Sequence, residues 1–315
     1  MMGSLISLTA NNWLTVWLGL ELNLMSFLPL ITLNKSSQET ESAIKYFLVQ
    51  ALGSGFVLLG GLTQTLNSSN YFILFIMIGL VLKLGASPLH FWFPVVMSGM
   101  NWINCLVLAT WQKISPLFLL LTISSSLFKP LASISALSAI VGGLMGMNQT
   151  NLRPLLAYSS IGHMGWLILL TQASMGMLII YFLVYISISA PLFLIFHLIF
   201  KERLSQNSPL QNWPKNQLIL TGILILSLGG IPPLTGFMAK WLAIQYATPL
   251  APLATTLLVI GSLLSLYYYL MLFFSIIISP AKELNQNSSW SSLLSPLTTL
   301  LMLPATIGIV LIPLL

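Results

Sequence analysis

Long apolar stretches separated by short polar connections run through almost the whole chain. Windows of about 19 residues, the length a helix needs to cross about 30 Å of hydrocarbon, identify ten candidate membrane helices. These lie at residues 13–33, 44–66, 71–88, 101–123, 129–148, 154–172, 175–200, 216–248, 252–279 and 293–314. The pattern predicts an all-α fold, a polytopic transmembrane helical bundle of about ten spanning helices in one domain over residues 1–315. Residues 1–12 are expected to form a truncated first helix or an N-terminal stub, since they are too short to span.

The predicted span at 216–248 is too long for a simple crossing. At 1.5 Å per residue it would measure about 48 Å, against about 30 Å of hydrocarbon. Its segment GGIPP at 229–233 should interrupt the helix, because glycine lowers helix propensity and proline removes a backbone donor. Lys83 is followed by a similar segment, GASP at 85–88. Two broken helices at corresponding places in the two halves predict a transporter fold with inverted repeats.

The basic residues of the connections are distributed unevenly between the two sides of the bilayer. If ten helices alternate in direction, one side receives Lys35, Lys45, Arg153, Lys201, Arg203, Lys215 and Lys282, whereas the other receives only Lys129. By the positive-inside rule the first set is predicted to face the compartment in which the chain is synthesised.

The composition agrees with a membrane protein and excludes several other classes. The chain is 57% hydrophobic and 5% charged, with a mean hydropathy of +0.95 and a net charge of +6. Its basic residues are scattered singly and not grouped with aromatic residues, so no nucleic-acid partner is expected. The sequence contains no Asp, no Gly-rich phosphate loop and no HExxH segment, and Cys105 is its only cysteine. We therefore expect no cofactor and no metal site in this chain.

Four charged residues fall in the middle of predicted spans: Glu21, Lys83, Lys113 and Lys240. A charge at a helix centre costs roughly 2.5 to 3.5 kcal/mol even on the lower scales, and such residues usually face a bundle interior or a wet cavity. Burial favours the neutral form of lysine and a neighbouring cation favours it further, so these lysines could exchange protons. The competing interpretation is that each lysine extends to a lipid headgroup. Glu21 is expected to pair with Lys83 or Lys113, either to control a proton or as a static ion pair.

His163 shares a helical face with Ser159 and Ser160, which precede it by four and three residues. An imidazole and two hydroxyls each donate and accept hydrogen bonds, so this face could relay protons. A histidine satisfied by packing is the alternative. His90 and His197 lie near predicted helix ends and are expected at the membrane interface.

Five segments occur in an order and at spacings that resemble one known family: WLGLELNLMSF, LKLGASPLHFWFP, LATWQKISP, SSIGHMGW and GGIPPLTGFMAKW. The resemblance is to subunit 2 of NADH dehydrogenase (ubiquinone) in animal mitochondrial respiratory complex I, an antiporter-like membrane-arm subunit. It covers nearly the whole chain. What it implies is a multi-pass subunit of the mitochondrial inner membrane that couples electron transfer from NADH to ubiquinone, in other subunits, to proton pumping.

The resemblance also implies which residues and molecules take part. Glu21 matches the family's characteristic glutamate, Lys83 and Lys240 match the lysines at the broken helices, and Lys113 and His163 match the central lysine and histidine. NADH, FMN, iron-sulfur clusters and ubiquinone belong to the parent complex, and this chain itself carries out no redox catalysis. Its partners are other complex I subunits, especially neighbouring antiporter-like and small membrane-arm subunits, and phospholipid. A stand-alone sodium or potassium/proton antiporter and a purely structural membrane scaffold remain as alternatives.

Overall fold

The computed structural model describes residues 2–33, 36–66, 71–201 and 215–278, and within those ranges it contains thirteen α-helices and no strand. They are α1 (Met2–Thr9), α2 (Trp13–Ile31), α3 (Ser37–Leu66), α4 (Tyr71–Leu84), α5 (Trp92–Gly99), α6 (Trp102–Ala109), α7 (Trp111–Ile123), α8 (Phe128–Met147), α9 (Leu152–Ala173), α10 (Met175–Lys201), α11 (Lys215–Gly229), α12 (Thr235–Ala247) and α13 (Pro252–Ile278). A single 3₁₀ turn, Ser124–Ser126, follows α7. The predicted all-α class is therefore confirmed for the described part of the chain.

Seven stretches within the described ranges are long and apolar enough to cross a membrane. They are Trp13–Ile31, Ser37–Gln64, Trp102–Ser126, Phe128–Met147, Leu152–Ala173, Met175–Ile199 and Pro252–Ile276. The shorter apolar helices Phe72–Leu84 and Leu218–Gly229 match the predicted spans that contain breaks. Nine of the ten predicted spans thus have a counterpart, and the span predicted at 293–314 lies outside the described residues.

The first broken helix ends at Leu84, four residues earlier than predicted. Gly85 has a φ of 68°, which a side-chain-bearing residue rarely adopts. Its N–H donates to the Leu82 carbonyl at 3.1 Å, and the next N–H, of Ala86, donates to the Val81 carbonyl at 3.2 Å. This pair of bonds is a Schellman motif, which satisfies carbonyls at the end of a helix inside the bundle.

The second broken helix stops in the same way. Gly230 follows the end of α11 with a φ of 80° and donates its N–H to the Ser227 carbonyl at 3.1 Å. The N–H of Ile231 reaches the Leu226 carbonyl at 3.4 Å. The predicted interruption of 216–248 is confirmed, and the chain resumes as α12 only after the prolines. Both breaks use a left-handed glycine directly after the last helical turn.

Two helices begin or occur where the sequence patterns did not place them. α3 starts at Ser37 and not at 44, because the Ser36 hydroxyl accepts the Glu39 N–H at 3.2 Å as a helix cap. The eight-residue α5 occupies a Pro-containing segment between two predicted spans, where the sequence predicts a connection. The Trp92 indole of α5 donates to the Leu82 carbonyl at 3.0 Å and so ties this helix to the end of α4.

The predicted span at 101–123 contains a further interruption. α6 and α7 meet at Thr110, whose φ of −116° and ψ of −71° depart from regular helix geometry. The Thr110 hydroxyl donates back to the Leu106 carbonyl at 2.7 Å. α7 therefore begins at Trp111, two residues before Lys113, within what remains one spanning segment of 25 residues.

Helix α9 is the centre of the described bundle. In its most apolar stretch 83% of the residues are buried, whereas the corresponding value for α13 is 22%. α9 packs against α5, α7, α8, α10, α12 and α13. The contact with α8 is close, since a Cβ on Gly142 would lie 2.7 Å from the backbone of α9 at Gly162. Gly143 and Gly146 allow a similarly close contact of α8 with α13, where a Cβ would meet Leu264 at 2.8 Å and Tyr268 at 2.7 Å.

Candidate functional site

The five predicted site residues project from five different helices into the bundle. Glu21 lies on α2, Lys83 on α4, Lys113 on α7, His163 on α9 and Lys240 on α12. The lysine side chains are 7%, 2% and 8% exposed in that order. These values rule out the competing interpretation in which each lysine extends to a headgroup, because an extended ammonium would be exposed.

Glu21 and Lys83 form the first group. The Ser54 hydroxyl on α3 donates to the Glu21 carboxylate, which also interacts electrostatically with Lys83. The direct ion pair expected from the sequence is not formed, since the Glu21 carboxylate lies within 4.0 Å of neither the Lys83 nor the Lys113 ammonium. Glu21 therefore acts on Lys83 electrostatically, without direct contact between the carboxylate and the ammonium.

Lys83 and Lys240 occupy equivalent electrostatic positions. Lys83 belongs to the last turn of α4. Lys240 belongs to α12, but its Nζ reaches back across the break and donates to the Gly229 carbonyl at the end of α11, at 2.7 Å. The carboxyl end of a helix carries partial negative charge and unsatisfied carbonyls, so both positions favour a cation. Each broken helix thus places one lysine at the carboxyl end of its first half.

Lys113 has different surroundings. It lies in the first turn of α7, where the helix dipole does not favour a cation. Its Nζ is buried and has no hydrogen-bond partner among the described residues. Two aromatic rings face the ammonium, with ring centroids 4.8 Å from Nζ for Phe93 and 5.7 Å for Tyr185. Both distances lie within the range of cation–π contact.

His163 lies between Lys113 and Lys240. Its Nδ1 shares a hydrogen bond with the Tyr181 hydroxyl at 3.0 Å, and its ring centroid is 5.2 Å from that of Tyr185. The charges of both lysines act on the imidazole. Lys240 and His163 also line one small cavity together with Ser159 and residues of α8 and α13. That cavity has room for on the order of one water molecule.

The serine relay expected beside His163 stays a prediction, and the imidazole itself contacts a tyrosine. The Ser159 and Ser160 hydroxyls donate to carbonyls of their own helix, at Leu156 and Ala157, both at 2.7 Å. Ser159 lines the cavity, whereas Ser160 does not appear among its lining residues. Back-bonding of this kind is common for serine within a helix. The hydrogen-bond partner of the imidazole is Tyr181.

An amide pair joins the helices that carry the two groups. The Asn23 side chain on α2 donates to the Gln112 carbonyl oxygen on α7 at 2.7 Å. The Tyr46 hydroxyl approaches the same oxygen at 3.5 Å. Asn23 is two residues from Glu21, and Gln112 directly precedes Lys113. The structure thus brings Lys113, His163 and Lys240 together, and the amide pair joins α2, which carries Glu21, to α7, which carries Lys113.

Sequence patterns did not identify Phe93, Tyr181, Tyr185 or Gln112 as site residues. In the sequence they are uncharged residues of apolar helices, and only packing among α5, α7, α9 and α10 brings them to the lysines. His90, which is expected at the membrane interface, is only 3% exposed. It lies in the turn between α4 and α5 with its ring centroid 4.3 Å from that of Phe91. His197 is partly buried near the end of α10. In the described ranges, no three His, Cys, Asp or Glu side chains are grouped as a metal ion would require.

A polytopic bundle with two broken helices, each presenting a buried lysine at the break, defines the class of antiporter-like membrane proteins. Residues 10–265 match the profile of the NADH:quinone oxidoreductase/Mrp antiporter transmembrane family. The chain is 36% identical over 293 residues to NADH-ubiquinone oxidoreductase chain 2 of Lumbricus terrestris, covering 91% of this chain and 88% of that protein. It is 38% identical over 329 residues to the protein of the same name from Crocidura hildegardeae, covering 97% and 94%. The chain belongs to the NADH:quinone oxidoreductase/Mrp antiporter family and, within it, to the family of NADH-ubiquinone oxidoreductase chain 2.

Solved structures agree with this family. A chain of respiratory complex I from Thermus thermophilus superposes with a TM-score of 0.80 at 26% identity, covering 98% of this chain and 75% of that one. A chain of the Mrp complex from Dietzia superposes with a TM-score of 0.76 at 19% identity, covering 91% and 60%. The second likeness concerns the fold alone. The antiporter-like architecture implied by the resemblance is therefore confirmed.

Proposed function

We propose that this chain is a proton-translocating subunit of the membrane arm of NADH:ubiquinone oxidoreductase in the mitochondrial inner membrane. The observation that carries this proposal is the set of ionisable side chains from Glu21 on α2 to Lys240 on α12, with the three lysines buried and Glu21 and His163 partly buried, arranged around two broken helices. The names of the relatives supply the link to NADH and ubiquinone. Electron transfer and its cofactors (NADH, FMN, iron-sulfur clusters and ubiquinone) belong to other subunits, and this chain itself carries out no redox step.

The proposed mechanism passes changes of charge from one end of this set to the other. Glu21 modulates the charge of Lys83, because a carboxylate held by Ser54 stabilises an ammonium nearby. A proton arriving at Lys113 makes a second positive charge at His163 or Lys240 less favourable. The charges of both lysines already act on the imidazole. Lys113 and His163 pass protons laterally, and Lys240 is the exit-side group or the link to a neighbouring subunit. The carbonyl of Gly229 holds the Lys240 ammonium until that step.

The partners in this proposal are other complex I subunits and phospholipid. Residues 1–315 form one antiporter-like domain, and α1, with eight residues, packs on α2 without spanning the bilayer. Many large apolar side chains are exposed on the outer helices, including Leu253 and Leu263 on α13. In a membrane these faces contact lipid or the apolar surfaces of neighbouring subunits.

Replacement of Lys113 by methionine tests the proposal. In the assembled complex, Lys113→Met should abolish most NADH-driven proton translocation through this subunit, since the side chain keeps its length but loses its ionisable amine. The measurement is the number of protons translocated per NADH oxidised in sealed inner-membrane vesicles. Lys129→Met is the matched control, because Lys129 is exposed at the start of α8. Full pumping by Lys113→Met would remove Lys113 from the proposed pathway and favour a structural scaffold.

Activity of the isolated chain would distinguish a stand-alone cation/proton antiporter from the proposed subunit. The likeness to the Mrp chain concerns fold and gives no independent support for sodium or potassium exchange. The purified chain in liposomes with an imposed sodium or potassium gradient should therefore produce no proton flux. Exchange of cations for protons by the isolated chain would favour the antiporter.

A further inference from the structure

The buried ammonium of Lys113 lacks the partners that usually compensate a charge inside a protein. Its Nζ has no hydrogen-bond partner among the described residues and is absent from the ion pairs formed there. A buried charge without a partner costs several kcal/mol, so a lysine that must become charged during transport needs another source of stabilisation.

Two aromatic rings are placed to provide that stabilisation. The Phe93 centroid lies 4.8 Å and the Tyr185 centroid 5.7 Å from the Lys113 Nζ. The face of an aromatic ring carries partial negative charge, and its attraction for a cation increases when water is excluded. Both rings are buried, with Phe93 1% and Tyr185 4% exposed. The contacts are therefore made where cation–π attraction is strongest.

The two rings also connect Lys113 to two different parts of the site. Phe93 lies on α5, and a Cβ on Gly85 would meet the Phe93 Cβ at 3.1 Å, so this ring packs directly on the break that follows α4. Tyr185 lies on α10, and its ring is also 5.2 Å from the ring of His163. One ring thus faces the first broken helix and the other faces the next titratable group.

We propose that Phe93 and Tyr185 form an aromatic cage that stabilises the charged form of Lys113 in place of a carboxylate. They are positioning residues: neither takes up the proton, but both determine how readily Lys113 holds it. A carboxylate would fix the charge on the lysine, whereas two ring faces provide a weaker attraction that a neighbouring charge can overcome. This inference rests on the proposed function, because it requires that Lys113 changes its charge during transport.

Paired substitutions test the cage in the assembled complex. Tyr185→Phe keeps the ring and should retain proton translocation per NADH, whereas Tyr185→Leu and Phe93→Leu should lose it. Because a desolvated cation–π contact changes the charged population roughly tenfold or more, we expect each leucine variant to show at least about half the loss seen in Lys113→Met. Phe93→Tyr should recover most of the pumping that Phe93→Leu loses.

Two controls separate charge stabilisation from packing and assembly. Phe193→Leu removes a buried ring from the same helix as Tyr185, where it contacts Trp102 and not a lysine, so it should pump normally. The amount of assembled complex and the NADH oxidation supported by an artificial electron acceptor are measured for every variant.

The outcomes distinguish the cage from the proposed function. Pumping by both leucine variants at the wild-type level, while Lys113→Met is inactive, would refute the cage and leave the function intact. Equal losses in Phe93→Leu, Phe93→Tyr and Phe193→Leu would also refute it, since the cause would then be packing. Normal pumping by Lys113→Met would instead overturn the assignment of Lys113, and with it the basis of the cage.

Discussion

At the scale of single residues, the three buried lysines differ in the groups that surround their ammonium. Lys83 lies in the last turn of α4 with Glu21 nearby, and Lys240 donates to the Gly229 carbonyl. Lys113 faces two aromatic rings, has no hydrogen-bond partner among the described residues and lies in the first turn of a helix. Helix carboxyl ends favour cations and amino ends do not. The charge of Lys113 is therefore the one that depends most on neighbouring side chains and least on a helix end. This suits a residue that passes protons between other groups.

The tyrosine that holds His163 gives a prediction at this scale. Tyr181→Phe keeps the ring but removes the hydroxyl that lies 3.0 Å from the imidazole. Loss of this hydrogen bond costs about 1 kcal/mol and should slow proton translocation roughly fivefold while assembly is unchanged. Tyr268→Phe is the control, since the buried Tyr268 hydroxyl has no hydrogen-bond partner among the described residues. Equal rates of NADH-driven proton uptake in the two variants would count against a role for the Tyr181 hydroxyl.

At the scale of helices, the two breaks combine a left-handed glycine with a nearby lysine. The glycine ends the first half-helix, and the Schellman bonds satisfy carbonyls that a membrane interior would otherwise leave unpaired. In the second break the Gly229 carbonyl, which these bonds leave free, accepts a hydrogen bond from the Lys240 ammonium. The conformation of the break and the position of the lysine are thus coupled.

Two adjacent glycines allow this coupling to be tested. Gly230→Ala should be damaging, because the residue has a φ of 80° and its new Cβ would lie 3.0 Å from both Cδ and Nζ of Lys240. The left-handed conformation alone costs a side-chain-bearing residue about 1 to 2 kcal/mol. Gly229→Ala is the matched control, since its Cβ would meet Tyr269 at an ordinary 3.5 Å. We expect reduced proton translocation per NADH and less assembled complex for Gly230→Ala alone, and equal behaviour of the two variants would contradict the coupling.

The helices show which features of the fold could be predicted from the sequence. Apolar length alone places α2, α8, α9 and α10 within a few residues of their observed ends, because each is a complete crossing. The eight-residue α5 was missed because a short helix with Pro94 lacks the length that identifies a span. The start of α3 was missed although Ser36 and Glu39 carry a capping pattern, S-x-x-E.

The candidate site divides in a similar way. Charges in apolar segments are conspicuous, so Glu21 and the three lysines could be predicted one by one. Their contacts could not, because Phe93 and Tyr185 come from helices remote in sequence, and nothing in the periodicity of either helix indicates Lys113. The expected pairing of Glu21 failed for the same reason, since the serine that reaches it lies on α3.

At the scale of the whole molecule, α9 forms the centre, and the basic residues of the connections determine its direction. α8 crosses from the 3₁₀ turn at Ser124–Ser126 to Met147, about 30 Å at 1.5 Å per residue. The connection before α8 precedes Lys129, and the connection after it precedes Arg153. Because these two residues belong to the predicted sparse and rich sides, the fold and the positive-inside rule together orient the bundle.

Cysteine labelling from each side of the membrane tests this orientation. Cys105 is the only cysteine of the chain and is fully buried, so Cys105→Ser gives an unreactive background. Ser126 and Thr150 are exposed at the two ends of α8. A maleimide that cannot cross the membrane should label Thr150→Cys from the compartment of synthesis, the mitochondrial matrix in the proposed function, and Ser126→Cys from the opposite side.

Labelling of both from one side would mean that α8 does not cross the bilayer. Labelling in the reverse sense would mean that the basic residues do not orient the chain as the positive-inside rule predicts.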